Sequence, residues 1–223
     1  MADLIIKPST GGSNTLILQD EGGDAALTIG TTGSTTLAGT ANALGTVASG
    51  NISNTAIVYP AGHILQTVTA FEAGEMSTSS TATPGATLGL SVAITPTAAT
   101  NKILISCTLG LVSIDGAGAS IAFNIHSSLA SGVIKVGTAS SARVGALFRA
   151  GARINNDGNH NWGITFNVVD TPTTWSSGAI TYTLYAWGES TTVYVGRSDT
   201  NSNVSDAYGA MCSSTMLAQE IKV

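Results

Sequence analysis

The chain is 223 residues long and only 9% of it is charged, against roughly 25% in an average soluble domain, which excludes disorder driven by charge. A net charge of −5 and a pI near 4.9 argue against a protein that coats a polyanion, so no nucleic acid is expected as partner. The opening Met-Ala-Asp-Leu-Ile-Ile-Lys-Pro has neither the basic nor the apolar region of a secretory signal, and no apolar run approaches membrane-span length, so no membrane insertion is expected.

Taken from the start, Thr15-Leu-Ile-Leu18 and Ala26-Leu-Thr-Ile29 flank the turn-rich acidic stretch Asp20-Glu-Gly-Gly-Asp24, and Thr35-Thr-Leu-Ala38 follows Gly30-Thr-Thr-Gly33. Each apolar segment reads as a strand too short to build a core alone, so each needs a docking surface or identical neighbours. From Ala25 through Phe71 there is no charged residue. A flexible linker has such a composition, but Leu27, Ile29, Leu37, Leu44, Val47, Ile52 and Ile57 recur too regularly for a spacer. Residues 1–56 are read as an anchor or stalk that orders by assembling with copies of itself or with a larger particle. Leu4, Ile5, Ile6, Leu16, Ile17 and Leu18 are its candidate anchoring contacts.

Ala56–Gly62 (AIVYPAG) marks a boundary, with Pro60 and Gly62 as breakers, and residues 57–223 form the expected head. There the apolar residues alternate with period two. Leu88, Leu90, Val92 and Ile94 share one parity, as do Ile103, Ile105, Cys107 and Leu109. Trp162, Ile164, Phe166 and Val168 repeat the pattern, and Ile180, Tyr182, Leu184 and Ala186 alternate with Thr181, Thr183, Tyr185 and Trp187. Further strands are expected over Ile64–Phe71, Ser120–Ile125, Val133–Val136, Arg143–Arg149, Thr192–Gly196 and Ser214–Ile221. Alanine-rich Ala139–Ala152 is kept as strand because Gly145 and Gly151 weaken a helix. The fold class is all-β: an extended N-terminal anchor of short strands, then an antiparallel β-sandwich head of jelly-roll type. Cys107 and Cys212 have no metal-ligand spacing, and Cys107 reads as a buried free thiol.

Candidate chemistry is sparse. There is no nucleophile elbow, zinc-protease helix or P-loop, so no enzymatic activity and no cofactor is expected. Asp157-Gly-Asn-His-Asn161 places oxygens at alternate positions but lacks the rest of a calcium loop and reads as a hairpin turn. His63, His126 and His160 stand apart in sequence, so no metal site is expected. Trp175 lies among hydroxyl residues in Thr171-Pro-Thr-Thr-Trp-Ser-Ser-Gly178. It either stacks on a sugar or anchors its own loop by burial, and burial is the commoner fate of a loop aromatic. Arg143, Arg149 and Arg153 share one strand parity among only eight basic residues. They either line a groove for acidic glycans or pair with carboxylates such as Asp157 or Asp170, across subunits.

The opening MADLIIKPSTGGSNTLILQDEGG and its continuation ALTIGTTGSTTLAGTANALGTV resemble the N-termini of fibre-like virion appendage proteins of tailed phages, especially aquatic ones. The C-terminal module resembles a β-rich head found in such proteins. That likeness rests on Val92-Ala-Ile-Thr-Pro-Thr97 leading into Lys102-Ile-Leu-Ile-Ser106, on Val168-Val-Asp-Thr-Pro172 before Ile180-Thr-Tyr-Thr-Leu184, and on Ser213-Ser-Thr-Met-Leu-Ala-Gln-Glu-Ile221. The resemblance implies a homotrimeric structural fibre of the virion, assembled in the host cytoplasm. Its N-terminus would sit on other virion proteins of tail or capsid, and its head would face a host cell-surface glycan. The alternatives are a capsid decoration protein without receptor binding and a glycan-binding module. A glycan-degrading spike is disfavoured, because the head's few acids fall mostly in expected turns.

Overall fold

The computed structural model describes residues 16–19, 22, 25–29, 35–37, 59–114, 120–138, 141, 144–151, 162–189, 192–198 and 211–223. The chain divides into two units, Met1–Ala56 and Ile57–Val223. In the first, β1 (Leu16–Gln19), β2 (Ala25–Ile29) and β3 (Thr35–Leu37) pair in that order as an antiparallel sheet. The register sets Leu18 opposite Leu27, and Leu27 opposite Leu37. These short strands thus find their first hydrogen-bonding neighbours within the same chain rather than in identical copies.

The second unit is built from β4 (Ile64–Glu72), β5 (Met76–Thr78), β6 (Ala86–Ile94), β7 (Lys102–Ile114), β8 (Ser120–Ser127) and β9 (Gly132–Val133). It continues with β10 (Phe148–Gly151), β11 (Trp162–Asp170), β12 (Ile180–Gly188), β13 (Val193–Val195) and β14 (Ser214–Ile221). No helix occurs among the described residues. One antiparallel sheet runs β10-β8-β12-β6 with β9 on β8, and the other runs β4-β14-β7-β13-β5 with β11 also on β7.

The two sheets form a sandwich because alternate residues of each are apolar and turn toward a shared core. From one sheet come Ile103, Ile105, Leu109, Phe166 and Met216; from the other Leu90, Ile94, Phe123, Ile125 and Leu184. Phe123 meets Phe166 across the layers at 6.2 Å between ring centroids, and Phe148 stacks on Phe166 at 5.7 Å. Each buried aliphatic or aromatic side chain contributes about 1.5–3 kcal/mol on leaving water. Cys107 lies in this core as a free thiol, and burial pushes it up to about 12.

Several expected strands are corrected. Of the expected Val133–Val136 only Val133 is in the ladder, with Gly132 before it, and Ile134 N donates to Ile125 O at 3.0 Å; Lys135, at a positive φ of 51°, then turns the backbone away. In Arg143–Arg149 the ladder begins at Phe148. Val144–Leu147 instead form a loop, held by Leu147 N donating to Asn124 Oδ1 at 3.0 Å. Gly145 backs directly onto the Gly137 carbonyl, where a side chain has no room. By contrast β7 runs past Gly110 to Ile114, since that glycine lets the strand pass tightly beneath the Ser213 carbonyl. The strand β5 is too short for its alternation to show in sequence, yet it buries Met76 and pairs with β13.

Candidate functional site

Within the head, the matched segments converge at the end of the sandwich where β6 passes to β7, β11 to β12, and β14 finishes. Glu220 lies on the inward parity of β14 with Met216 and Ala218, and is fully buried. Its carboxylate accepts from Thr97 N (2.7 Å), Thr97 Oγ1 (2.8 Å), Asn101 Nδ2 (2.7 Å) and Gln66 Nε2 (2.6 Å). Burial pushes its carboxyl up, but the bonds from Asn101, Gln66 and Thr97 outweigh burial and hold it below the usual carboxylate range. The one acid thereby ties β4, the β6–β7 turn and the last strand. A second tie joins β11 to β12, where Tyr182 Oη donates to Asp170 Oδ2 at 2.9 Å while Asp170 Oδ1 accepts from Thr171 N at 2.9 Å. Burial, with Asp170 adding to it, raises the Tyr182 hydroxyl far above its ordinary value. In both ties the matched motifs hold strands together.

A different place has the shape of a ligand site. On the outer face of the β10-β8-β12-β6 sheet, the loop over residues 144–147 and the segment around Thr81 wall a cleft of about 580 Å³, a volume within the range of small-molecule sites. Register brings Arg149 opposite Ala122, and Ala122 opposite Trp187. Arg149 Nη2 donates to Ser120 Oγ at 2.5 Å, and Glu189 N donates to Ser120 O at 3.0 Å. Among the described residues neither Arg149 nor Glu189 forms an ion pair. The cleft therefore offers a guanidinium, a carboxylate and the hydroxyls of Ser120 and Thr81 beside the apolar Ala122, Val144 and Trp187. Donors, acceptors and apolar carbon side by side are what a polyhydroxylated ligand requires. On the same face His126 stacks on Tyr185 at 3.6 Å between centroids, and burial lowers its imidazole from the ordinary value.

Of the residues singled out in sequence, Arg149 lines this cleft, while Arg143 and Arg153 lie outside the described residues. Trp175 lies elsewhere. Its Nε1 donates to Gly178 O at 2.8 Å, its backbone N donates to Pro172 O at 2.9 Å, and its ring packs against the core. That is the bonding of a side chain that closes its own loop. Trp175 precedes β12, whereas Arg149 is level with Trp187 near its far end, about 20 Å or more along the strand. The two do not share a site. Leu4, Ile5 and Ile6 are outside the described residues; Leu16 and Ile17 are in β1 beside Leu18, which is 46% exposed. Asp157 and His160 are also outside the described residues. Within those described, no three His, Cys, Asp or Glu side chains come together as a metal site, and no helix is long and apolar enough to cross a membrane.

Sequence reasoning missed Glu220 and Glu189. The signal for Glu220 was a lone acid on the apolar parity of a strand; Glu189 carried none, being placed only by the turn after β12. Trp187 is buried at 9% exposure. Its parity with Thr181, Thr183 and Tyr185 is the signal that it belongs to the outer face, where flanking loops bury it.

No family model and no curated protein matches the chain. Among solved structures it is similar to a chain in the structure of infectious bursal disease virus, Gx strain, at 16% identity and a TM-score of 0.32. The match covers 77% of this chain and 42% of that one, so the chain spans about two fifths of that chain's length.

Proposed function

We propose that this chain is a structural protein of a virion: a short homotrimeric fibre whose N-terminal unit attaches to tail or capsid proteins and whose head faces the host surface. The reading is supported by the resemblance of both the N-terminal stretch and the head to phage appendage proteins. The observation that carries it is that the head has the all-β antiparallel sandwich implied by that resemblance, with the matching segments forming its Glu220 and Asp170 ties. A charge-poor chain fits a protein that spends much of its surface on subunit contacts. In this reading the role is non-enzymatic and needs no cofactor, and the Arg149 cleft is where a host glycan is held.

Deletion of residues 1–56 tests the reading. The expected product is a soluble head with the circular dichroism of a β protein that no longer enters particles. Continued incorporation of that truncated head would overturn the anchor. Loss of incorporation with a folded head, but unchanged host adsorption by the deficient particles, would leave a decoration protein instead.

A further inference from the structure

The walls of the Arg149 cleft are fastened to the sheet beneath them. Asn124, on the outward parity of β8 and fully buried, holds both: its Nδ2 donates to Pro84 O at 3.1 Å and its Oδ1 accepts from Leu147 N at 3.0 Å. Each wall has a second tie, Gly188 N donating to Ser80 O at 2.9 Å and Gly137 N to Ala146 O at 3.2 Å. A site whose walls are set in advance loses less freedom when a ligand enters. Inside the cleft, Ser120 places the charges. Its Oγ accepts from Arg149 Nη2 at 2.5 Å, and its carbonyl accepts from Glu189 N at 3.0 Å. Arg149 comes from β10 and Glu189 follows β12, so the two flank β8 from opposite sides. Both are exposed and line the cleft, and among the described residues no ion pair joins them.

We propose that the cleft takes a sugar acid, a ring that bears one carboxylate and neighbouring hydroxyls, as a unit of a surface polysaccharide. The step rests on the glycan-binding role given to this cleft above and names the class of glycan. A guanidinium fastened through one nitrogen still has N–H groups for a carboxylate, which it meets as a fork. The Glu189 carboxylate can only accept, and ring hydroxyls donate to it. A neutral sugar leaves the guanidinium without a counter-charge. A phosphate or sulfate sets further negative charge beside Glu189 and brings it no donor. A sugar acid answers both groups at once, and the C–H faces of its ring have Ala122, Val144 and Trp187 to pack against.

The test measures retention of the full-length protein on immobilised glycans that are neutral, carboxylated, sulfated or phosphorylated. The expected result is retention on carboxylated glycans, lowered about tenfold when their carboxylates are reduced to alcohols. Arg149→Gln, with unchanged circular dichroism, lowers it several-fold, and Glu189→Ala lowers it about threefold by removing an acceptor. Tighter retention of Glu189→Ala marks that carboxylate as repelling the ligand and overturns the proposal. Retention that carboxylate reduction leaves unchanged, or that is strongest on sulfated or phosphorylated glycans, also overturns it. If that retention is nevertheless abolished by Val144→Trp, which narrows the cleft, the cleft remains a glycan site of another class. Retention insensitive to both Arg149→Gln and Val144→Trp, or retention on no glycan, overturns the proposal and the cleft's glycan role together.

Discussion

The two sheets of the head turn matched apolar sides to one core and unlike sides to solvent. On the β4-β14-β7-β11 face, neighbouring side chains are short, uncharged and paired sideways, with Phe71 and Val169 exposed. On the β10-β8-β12-β6 face, loops fold back over the sheet, bury Trp187, and gather Arg149, Glu189 and Ser120 around a cleft. Both faces obey the same period-two alternation. The difference lies in what covers them: an open face suits a broad contact, and a loop-walled one suits a small ligand.

Substitutions at three positions sharpen this contrast. The largest effect is expected for Glu220→Ala, which removes the acceptor beneath the open sheet and strands Asn101 and Thr97. A loss of about 3 kcal/mol in chemical denaturation follows from losing hydrogen bonds to a buried charge. Acid should reveal the same tie. Because the folded carboxyl is held below its ordinary 4.5, its contribution is fully present above that pH and is lost as pH falls through the lower folded value. Glu220→Gln should flatten that acid dependence; a melting temperature equally acid-sensitive in both proteins would remove Glu220 as its source. Next comes Trp175→Ala, expected to cost about 1–3 kcal/mol through lost packing and the lost bond to Gly178. Weakened host adsorption with unchanged stability would instead make Trp175 a sugar platform. Smallest in stability is Arg149→Ala, within about 0.5 kcal/mol for an exposed side chain. It should nevertheless weaken glycan binding or adsorption to host cells several-fold, since the cleft loses its cation. Undiminished adsorption would empty the cleft of its role and sharpen the contrast in favour of the open face.

Much of the architecture was legible because alternation is a local property. Val92, Ile105, Phe166 and Leu184 announce their inward parity within a few residues of chain, and the expected strand Ser214–Ile221 coincides with the final one. Legibility failed where backbone geometry overrode composition. Lys135 turns the backbone away from β8 through its positive φ, and Gly110 lets β7 continue tightly beneath the Ser213 carbonyl. The candidate site was less legible still. Arg149 could be singled out as one of few cations, but Ser120 and Glu189 reach it only through the pairing of β8 with β10 and β12.

By itself the sequence determined the all-β class, the inward side of each long strand, the burial of Cys107 and the poverty of charge, because these follow from residue type and period. Only the tertiary structure decided which strands are neighbours. Neighbour choice joins residues far apart in the chain, such as Gln66, Asn101 and Glu220, and it turned scattered threonines and two separated charges into one open face and one walled cleft.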